Sequence, residues 1–240
     1  MAITIGYKMS FLSKMEVREN YRNEIKFNLE KFDRTNFIYN HSNKKFLLTE
    51  PYERRWINNI YFDTENYSLY MQSKEGSSQR IKIRLRWYGD YFGVIEPTLE
   101  FKIKKGHKNT KKTFNLDKFN LFDGISKRNI MNFLNESKKI PKHYKFFLKR
   151  VSPVLCNRYF RSYHVSKKIP LRVTFDTNLN FQPINLKQKI SDNFIINTQF
   201  SIMELKFSSY KKSITNFLTQ INLKTRPVQI SKYTFGMHAR

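Results

Sequence analysis

Cysteine and long apolar runs are scarce in this 240-residue sequence. The single cysteine, Cys156, excludes an intrachain disulfide framework and is typical of a protein kept in a reducing compartment. No apolar run approaches the roughly 20 residues that a membrane-spanning helix needs. Residues 1–12 also lack the long apolar stretch of a secretory signal. We therefore expect a cytoplasmic protein without a transmembrane segment.

Glycine, proline and the common metal and phosphate motifs are also sparse. The seven glycines and seven prolines form no linker, repeat or low-complexity tract, so we expect one domain over residues 1–240, with residues 1–20 as a lead-in segment. The sequence has no glycine-rich phosphate loop, which argues against a P-loop kinase. Its five histidines lack metal-ligand spacing, so we expect them at the surface or in ordinary packing.

Positive charge is abundant instead. The sequence has 45 lysines and arginines against 19 acidic residues, a formal net charge of +26. Hydrophobic residues make up 40 % of the chain, including 22 phenylalanines, which is enough for a packed core. The surplus charge favours anionic ligands and would also attract nucleic acid or an anionic membrane surface without specificity.

The stretch Arg80–Tyr88 alternates basic and apolar residues with a period of two. In a strand, its basic residues share one face at intervals of about 7 Å, and its apolar residues share the other. A single strand of this kind usually meets water with its charged face. Here the pattern recurs in four more segments, Arg22–Phe27, Thr98–Lys104, Leu171–Asp176 and Met203–Phe207. We interpret the repetition as a basic wall complementary to a chain of phosphates.

A sheet closed into a barrel would turn these charged faces inward. We place twelve basic residues there: Arg22, Lys26, Arg80, Lys82, Arg84, Arg86, Lys102, Lys104, Arg158, Arg172, Lys206 and Lys232. Four acidic residues accompany them: Glu24, Glu100, Asp176 and Glu204. Trp87 and Phe101 fall on the apolar faces, and we expect them, like Cys156, in the core rather than in nucleic-acid stacking platforms.

The remaining pattern predicts an α+β protein in which strands dominate. Further strands are predicted at Trp56–Thr64 and Val154–His164, and a basic loop at Gly106–Lys112. Helices are predicted at Glu30–Asn43, Glu65–Met71, Ser126–Lys139, Lys142–Arg150 and after Ser208 or Ser209.

Eight short motifs occur in an order that resembles VTC domains, the polyphosphate-polymerase branch of the triphosphate tunnel metalloenzymes in the CYTH-like superfamily. The resemblance covers about residues 21–236 and is closest to the free-standing type found in bacteria. The motifs are Arg22–Phe27, Asn58–Thr64, Lys82–Tyr88, Leu99–Lys102, Asn157–Arg158, Arg172–Thr177, Glu204–Lys206 and Ser231–Tyr233.

The resemblance implies a closed, antiparallel, eight-stranded β-barrel tunnel with helices packed outside. Such a tunnel would bind ATP or another triphosphate, polyphosphate, and Mn²⁺ or Mg²⁺, and would transfer the γ-phosphate of ATP to a growing polyphosphate. It implies catalytic roles for Lys26, Arg84, Arg86, Lys102, Arg158, Arg172 and Lys232. It implies phosphate binding by Arg22, Lys82, Lys104 and Lys206.

The carboxylates of the basic wall are the candidate metal ligands. Glu204 is the first choice, because a carboxylate that faces a polyanion needs a hard cation between them. A simple ion pair with a neighbouring arginine is the alternative. Glu24 and Glu100 would orient the lysines and arginines beside them, with metal contact as the alternative.

Two departures bear on the reaction. Arg22 stands where the triphosphatase branch has its first glutamate, which resembles the polymerase branch. A second basic residue commonly follows Ser231–Tyr233, but this chain has Thr234–Gly236. Two other functions stay open on the residues alone: hydrolysis of an inorganic or nucleoside triphosphate, and non-catalytic binding of polyphosphate or RNA.

Overall fold

A computed structural model of the chain describes residues 23–30, 37, 46–184, 189–191, 193–194, 196–207, 212–220 and 226–238. The strands are β1 (Asn23–Glu30), β2 (Leu48–Thr49), β3 (Arg55–Asp63), β4 (Gln79–Tyr88), β5 (Gly93–Ile95), β6 (Thr98–Lys105), β7 (Lys108–Asn115), β8 (Phe119–Leu121), β9 (Ser152–Ser166), β10 (Leu171–Pro183), β11 (Ile196–Asn197) and β12 (Phe200–Phe207). The helices are α1 (Ser68–Lys74), α2 (Lys127–Glu136), α3 (Lys142–Leu148), α4 (Lys212–Gln220) and α5 (Lys232–His238). The predicted α+β class is confirmed.

Eight strands form one antiparallel path in the order β1-β12-β10-β9-β3-β4-β6-β7. The sheet curls strongly into a half-barrel. Within the described ranges its edge strands, β1 and β7, do not pair with each other, so closure of the barrel by hydrogen bonds stays a prediction. Residues 226–231 instead run along the free edge of β1, where Pro227 bridges Phe27 and the Val228 amide donates to the Lys26 carbonyl at 2.8 Å.

The alternating sequence pattern explains how the sheet divides polar from apolar. On β4, Ile81, Ile83, Leu85 and Trp87 are 0 to 4 % exposed and pack on the convex face. Helices α2 and α3 cover this part of the sheet with residues such as Leu134 and Leu148. Helix α4 covers the strands around β12 with Ile214 and Phe217. The predicted core positions of Trp87, Phe101 and Cys156 are confirmed, since all three are 0 % exposed.

Helix α5 lies on the concave face instead. Its Tyr233 ring stacks on Tyr61 of β3, with 5.0 Å between the centroids. A Cβ atom on Gly236 would lie 2.6 Å from Phe181 and 2.8 Å from Leu155. The absence of a side chain at Gly236 therefore lets the helix approach the sheet this closely.

The largest error of the sequence-based prediction concerns Gly106–Lys112. The structure contradicts the predicted loop, because β7 begins at Lys108 and pairs with β6 along its whole length. Gly106 forms the turn, with a φ of 59° that favours glycine. An edge strand with one solvated face can be largely polar, so its composition resembles that of a loop.

The helix predictions fare better. Ser126 caps α2 as predicted, accepting a hydrogen bond from the Asn129 amide at 3.2 Å. Helices α1 and α3 lie within about three residues of their predicted bounds. The cap predicted at Ser208 or Ser209, and all of Glu30–Asn43 except Glu30 and Phe37, lie outside the described residues. No helix in the described part of the chain is long and apolar enough to span a membrane.

Candidate anion-binding site

The register of the sheet places most of the predicted site residues on the concave face. Arg86 pairs with Asn59 of β3, and Arg84 with Glu100 of β6, so these side chains project to one side. The basic residues located there by register or contact are Lys26, Arg80, Lys82, Arg84, Arg86, Lys102, Lys104, Arg172, Lys206 and Lys232. The acidic residues are Glu24, Glu100, Asp176 and Glu204. Arg22 lies outside the described residues.

Arg158 is not on this face, and its predicted position is wrong. It pairs with Asn58 of β3, which pairs in turn with the core residue Trp87, so Arg158 points to the convex side. Its guanidinium lies 4.1 Å from the centroid of the Trp56 ring, a cation–π contact. Its neighbour Tyr159 faces the concave side. The two faces alternate here without a break in register.

The arginine that β9 does place on the concave face is Arg161. Its guanidinium binds Asp176 of β10 through two hydrogen bonds, one of them 2.7 Å from Nη2 to Oδ2. Lys232, at the start of α5, binds the same carboxylate. Burial raises the pKa of Asp176, but the attraction of Arg161 and Lys232 is stronger and holds it well below its usual range. Two cations thus share one buried anion and leave surplus positive charge.

Sequence reasoning overlooked Arg161 although a signal was present. Arg158 and Arg161 are three positions apart, an odd spacing, so a regular strand puts them on opposite faces. Asp176 was already assigned to the inner wall, and it lies opposite Arg161 in the β9–β10 register. A cross-strand search for the partner of Asp176 would have selected Arg161.

Arg86 is a buried cation with neutral hydrogen-bond acceptors. It is 8 % exposed, and its Nε donates to the Asn59 side-chain oxygen at 2.8 Å. Its Nη2 donates to the Tyr159 hydroxyl at 3.0 Å. Asn59 is itself held by Asn157, a 3.3 Å side-chain hydrogen bond. This polar network orients the guanidinium without neutralising it.

Arg84 and Glu100 form the next layer along the same strands. Arg84 Nε donates to Glu100 Oε2 at 2.6 Å, and Lys111 of β7 approaches Oε1 at 2.6 Å. Burial raises the pKa of Glu100, but Arg84 and the other nearby cations outweigh it and lower the pKa to about 2. The predicted orienting role of Glu100 therefore matches its contacts.

Glu24 and Glu204 share two lysines. Lys26 Nζ lies 2.6 Å from Glu24 and 3.9 Å from Glu204, and Lys206 Nζ contacts both carboxylates as well. Burial opposes ionisation of Glu24, yet Lys26, Lys102 and Lys206 lower its pKa to about 2. Burial also opposes ionisation of Glu204, but its pKa is lowered, chiefly by Lys206. The two ionised carboxylates therefore lie close enough to bind the same cation.

Among the predicted metal ligands in the described residues, only Glu24 and Glu204 lie close enough together to share one metal ion. No group of three or more His, Cys, Asp or Glu side chains converges anywhere in those ranges. Mg²⁺ is commonly held by one or two carboxylates together with substrate phosphates and water. The two glutamates fit that requirement, since one ammonium already bridges them.

Cations crowd one another opposite this pair. Lys82 donates to the Ser231 hydroxyl at 2.8 Å. Burial, followed by repulsion from Lys102, Arg80, Lys26 and Arg84, lowers the pKa of Lys82 to about 7. The pKa of Lys102 is also lowered. Burial of its ammonium is the main cause, and repulsion from Lys26 and Lys206 adds to it, whereas the attraction of Glu24 acts in the opposite direction. An anion placed here would relieve this repulsion.

Two buried polar atoms on the concave side of β10 have no hydrogen-bond partner among the described residues. They are the Arg172 Nε and the Thr174 hydroxyl. Thr174 lies beside Glu204 in the β10–β12 register, and Arg172 beside Lys206. Buried donors are normally satisfied, so these two donors remain available to an oxygen atom of a ligand.

The motif residue Asp63 has a structural role instead. Its carboxylate accepts hydrogen bonds from the Leu69 and Tyr70 amides, both at 2.8 Å, and from the Tyr233 hydroxyl. Asp63 thereby ties the end of β3 to α1 and α5. Since α5 begins at Lys232, this anchor positions the lysine that contacts Asp176.

One comparison with known proteins bears on the family. A family model described as VTC domain matches residues 8–239. A search of curated proteins gave no match. Among solved structures, a candidate adenylyl cyclase from Hippeastrum, described as having a dominant triphosphatase activity, aligns at 13 % identity and a TM-score of 0.49, covering 92 % of this chain and 97 % of that one.

Two bacterial structures are similar at the same level. A candidate adenylate cyclase from Bacillus halodurans has 14 % identity and a TM-score of 0.47, over 89 % of this chain and 98 % of that one. Another from Vibrio parahaemolyticus has 11 % identity and a TM-score of 0.43, over 85 % and 86 %.

Proposed function

Because the chain belongs to the VTC domain family, we propose that it is a metal-dependent phosphotransferase that extends polyphosphate with the γ-phosphate of ATP. The observation that carries the proposal is the under-neutralised concave face. Arg86 is buried with neutral hydrogen-bond partners, and Arg161 shares Asp176 with Lys232. Burial of unpaired charge is costly, so such a surface is suited to a polyanion that completes it.

The chemistry asks little of the protein beyond position and charge. Phosphoryl transfer depends mainly on holding donor and acceptor in line and on stabilising charge on the transferred group. The planar guanidinium groups of Arg84, Arg86 and Arg161 are suited to two-point contacts with phosphate. Lys26, Lys102 and the other lysines add point charges along the chain. The acceptor is already an anionic oxygen, so a general base is not required.

A divalent cation, Mn²⁺ or Mg²⁺, would be held by Glu204 and Glu24. The cation supplies charge neutralisation at the phosphate oxygens. For it to bind, Lys206 and Lys26 must turn from the glutamates toward phosphate, and their flexible stems allow this. Lys206 therefore has a defined role in the proposal, as the ammonium that exchanges a carboxylate for a phosphate.

The test is incubation of the purified protein with ATP and Mn²⁺, followed by gel separation of polyphosphate and an assay of free phosphate. We expect a ladder of long chains that is lost in Arg86→Ala and Glu204→Gln. Arg158→Ala is the matched control, since it removes the same charge from the convex face of β9, and it should keep the ladder.

The other functions predict different products. Release of free phosphate without a ladder would replace the polymerase proposal with a triphosphatase. Neither product, with polyphosphate still bound, would show a non-catalytic binding protein. A ladder that survives Arg86→Ala would contradict the assignment of the concave face as the active site.

A further inference from the structure

The end of the concave face opposite α5 carries an arginine between tyrosines. Helix α5 packs against Tyr61, near the end of β3, whereas Arg55 begins that strand. The Arg55 guanidinium lies 4.4 Å from the centroid of the Tyr88 ring and 5.4 Å from that of Tyr163. Tyr52 packs edge-on against Tyr163, with 5.8 Å between centroids. We call Arg55, Tyr88, Tyr163 and Tyr52 the aromatic mouth.

The aromatic mouth continues the charged surface directly. On β4, Tyr88 follows Arg86 by two residues, and on β9, Tyr163 follows Arg161 by two residues. Residues two apart share a face and are separated by about 7 Å. Both strands therefore pass from an arginine of the concave face to a tyrosine at the same end.

The rings remain accessible although they are organised. Tyr88 is 48 % exposed and Tyr52 is 57 % exposed, whereas the tyrosines deeper in the concave face, Tyr61 and Tyr159, are 4 % and 1 % exposed. Arg55 covers part of the Tyr88 ring and restrains its orientation. An exposed ring held in this way presents a flat apolar surface to a planar ligand.

We propose that the aromatic mouth is a nucleobase subsite, on which the base of a nucleoside triphosphate stacks while its phosphates enter the basic concave face. This inference rests on the proposed function, which already takes ATP as the phosphate donor, and adds the residues that hold its base. The sugar then lies between the arginines and the tyrosines, which are about 7 Å apart along each strand. Stacking on a tyrosine accepts any base, so the subsite selects for a base without specifying which one.

The test compares two ligands that differ in the nucleoside. Binding of a nonhydrolysable ATP analogue and of inorganic tripolyphosphate is measured by calorimetry on the wild-type protein and on Tyr88→Ala. Loss of one base–aromatic stack weakens binding by about five- to 150-fold. We expect this loss for the ATP analogue and no change for tripolyphosphate.

Two further variants control the result. Tyr88→Trp keeps a ring for stacking and should retain the affinity for the ATP analogue. Phe146→Ala removes a similarly exposed ring, 53 % accessible with Arg150 4.8 Å from its centroid, from helix α3 on the convex side. It should leave the binding of both ligands unchanged.

The outcomes separate this proposal from the function on which it rests. Equal weakening of both ligands in Tyr88→Ala, or no weakening of either, would overturn the subsite. A selective loss for the ATP analogue in a protein that makes no polyphosphate would support the subsite and reject the polymerase. If neither ligand binds the wild-type protein, both proposals fail.

Discussion

Replacement of Arg161 with alanine gives the sharpest test of how the concave face is built. The substitution removes one of the two cations from Asp176, whose side chain is 0 % exposed, while the Arg161 side chain itself is 13 % exposed. Removal of one partner from a buried ion pair costs about 3–5 kcal/mol. Lys232 remains on the carboxylate, so we expect about 3 kcal/mol, near the lower limit.

This loss is large enough to measure by thermal unfolding. For a domain of this size, 1 kcal/mol shifts Tm by about 2–4 °C, so Arg161→Ala should lower Tm by about 6–12 °C. Asp176→Asn in the same background should recover part of the loss, because it removes the uncompensated charge.

Arg158→Ala is the comparison on the same strand. It removes a cation–π contact worth about 0.5–2 kcal/mol and leaves no buried carboxylate behind. The Tm of Arg158→Ala should therefore fall by at most about two-thirds as much as that of Arg161→Ala. If Arg158→Ala proved the more damaging of the two for stability and for tripolyphosphate binding, the assignment of faces on β9 would be refuted.

Three further changes test other parts of the site. The pKa of Lys82 is about 7 in the folded protein against 10.5 in the unfolded chain, so its charge destabilises the fold fully below pH 7, and this effect disappears as pH rises toward 10.5. Lys82→Met should raise Tm at pH 6 and lose this advantage near pH 10; an equal effect at both pH values would contradict the reasoning. The lowered pKa of Glu100 gives stability that is present above pH 4.5 and lost as pH falls toward 2. Glu100→Gln should therefore flatten the decline of Tm between pH 4.5 and 2. An unchanged slope of Tm against pH would contradict the stabilising role of the ionised carboxylate. Gly236→Ala forces a methyl group against Leu155 and should destabilise the protein by about 1–3 kcal/mol in urea unfolding; unchanged stability would show that α5 shifts freely.

Strand periodicity explains why the faces of β4 and β6 were predictable from the sequence. Each residue from Arg80 to Trp87 differs from its neighbour in polarity, so only one face assignment buries the apolar set. In Asn157–Arg161 polar and aromatic residues do not alternate in this way, so the local pattern fits either Arg158 or Arg161 on the concave face. The choice is made by Asp176 on the adjacent strand, a contact that single-strand periodicity does not include.

The position of α5 was hidden for a different reason. Seven residues that include a glycine form a weak helix by propensity, and tertiary packing on Tyr61 and Leu155 stabilises it. The aromatic mouth was equally hard to foresee, because Arg55 and Tyr163 are distant in sequence and meet only through the pairing of β3 with β9.

The course of residues 226–238 has a consequence for synthesis. Residues 226–231 follow all the described strands in sequence, yet they lie along the edge of β1, about 200 residues earlier, and lead into α5, which contributes Lys232 to the concave face. A nascent chain therefore exposes its basic strands without the helix that closes one end of their concave face. Lys232 can reach Asp176 only after residues 226–238 have been made, so the cluster of Asp176, Arg161 and Lys232 is completed after all the described strands have been synthesised.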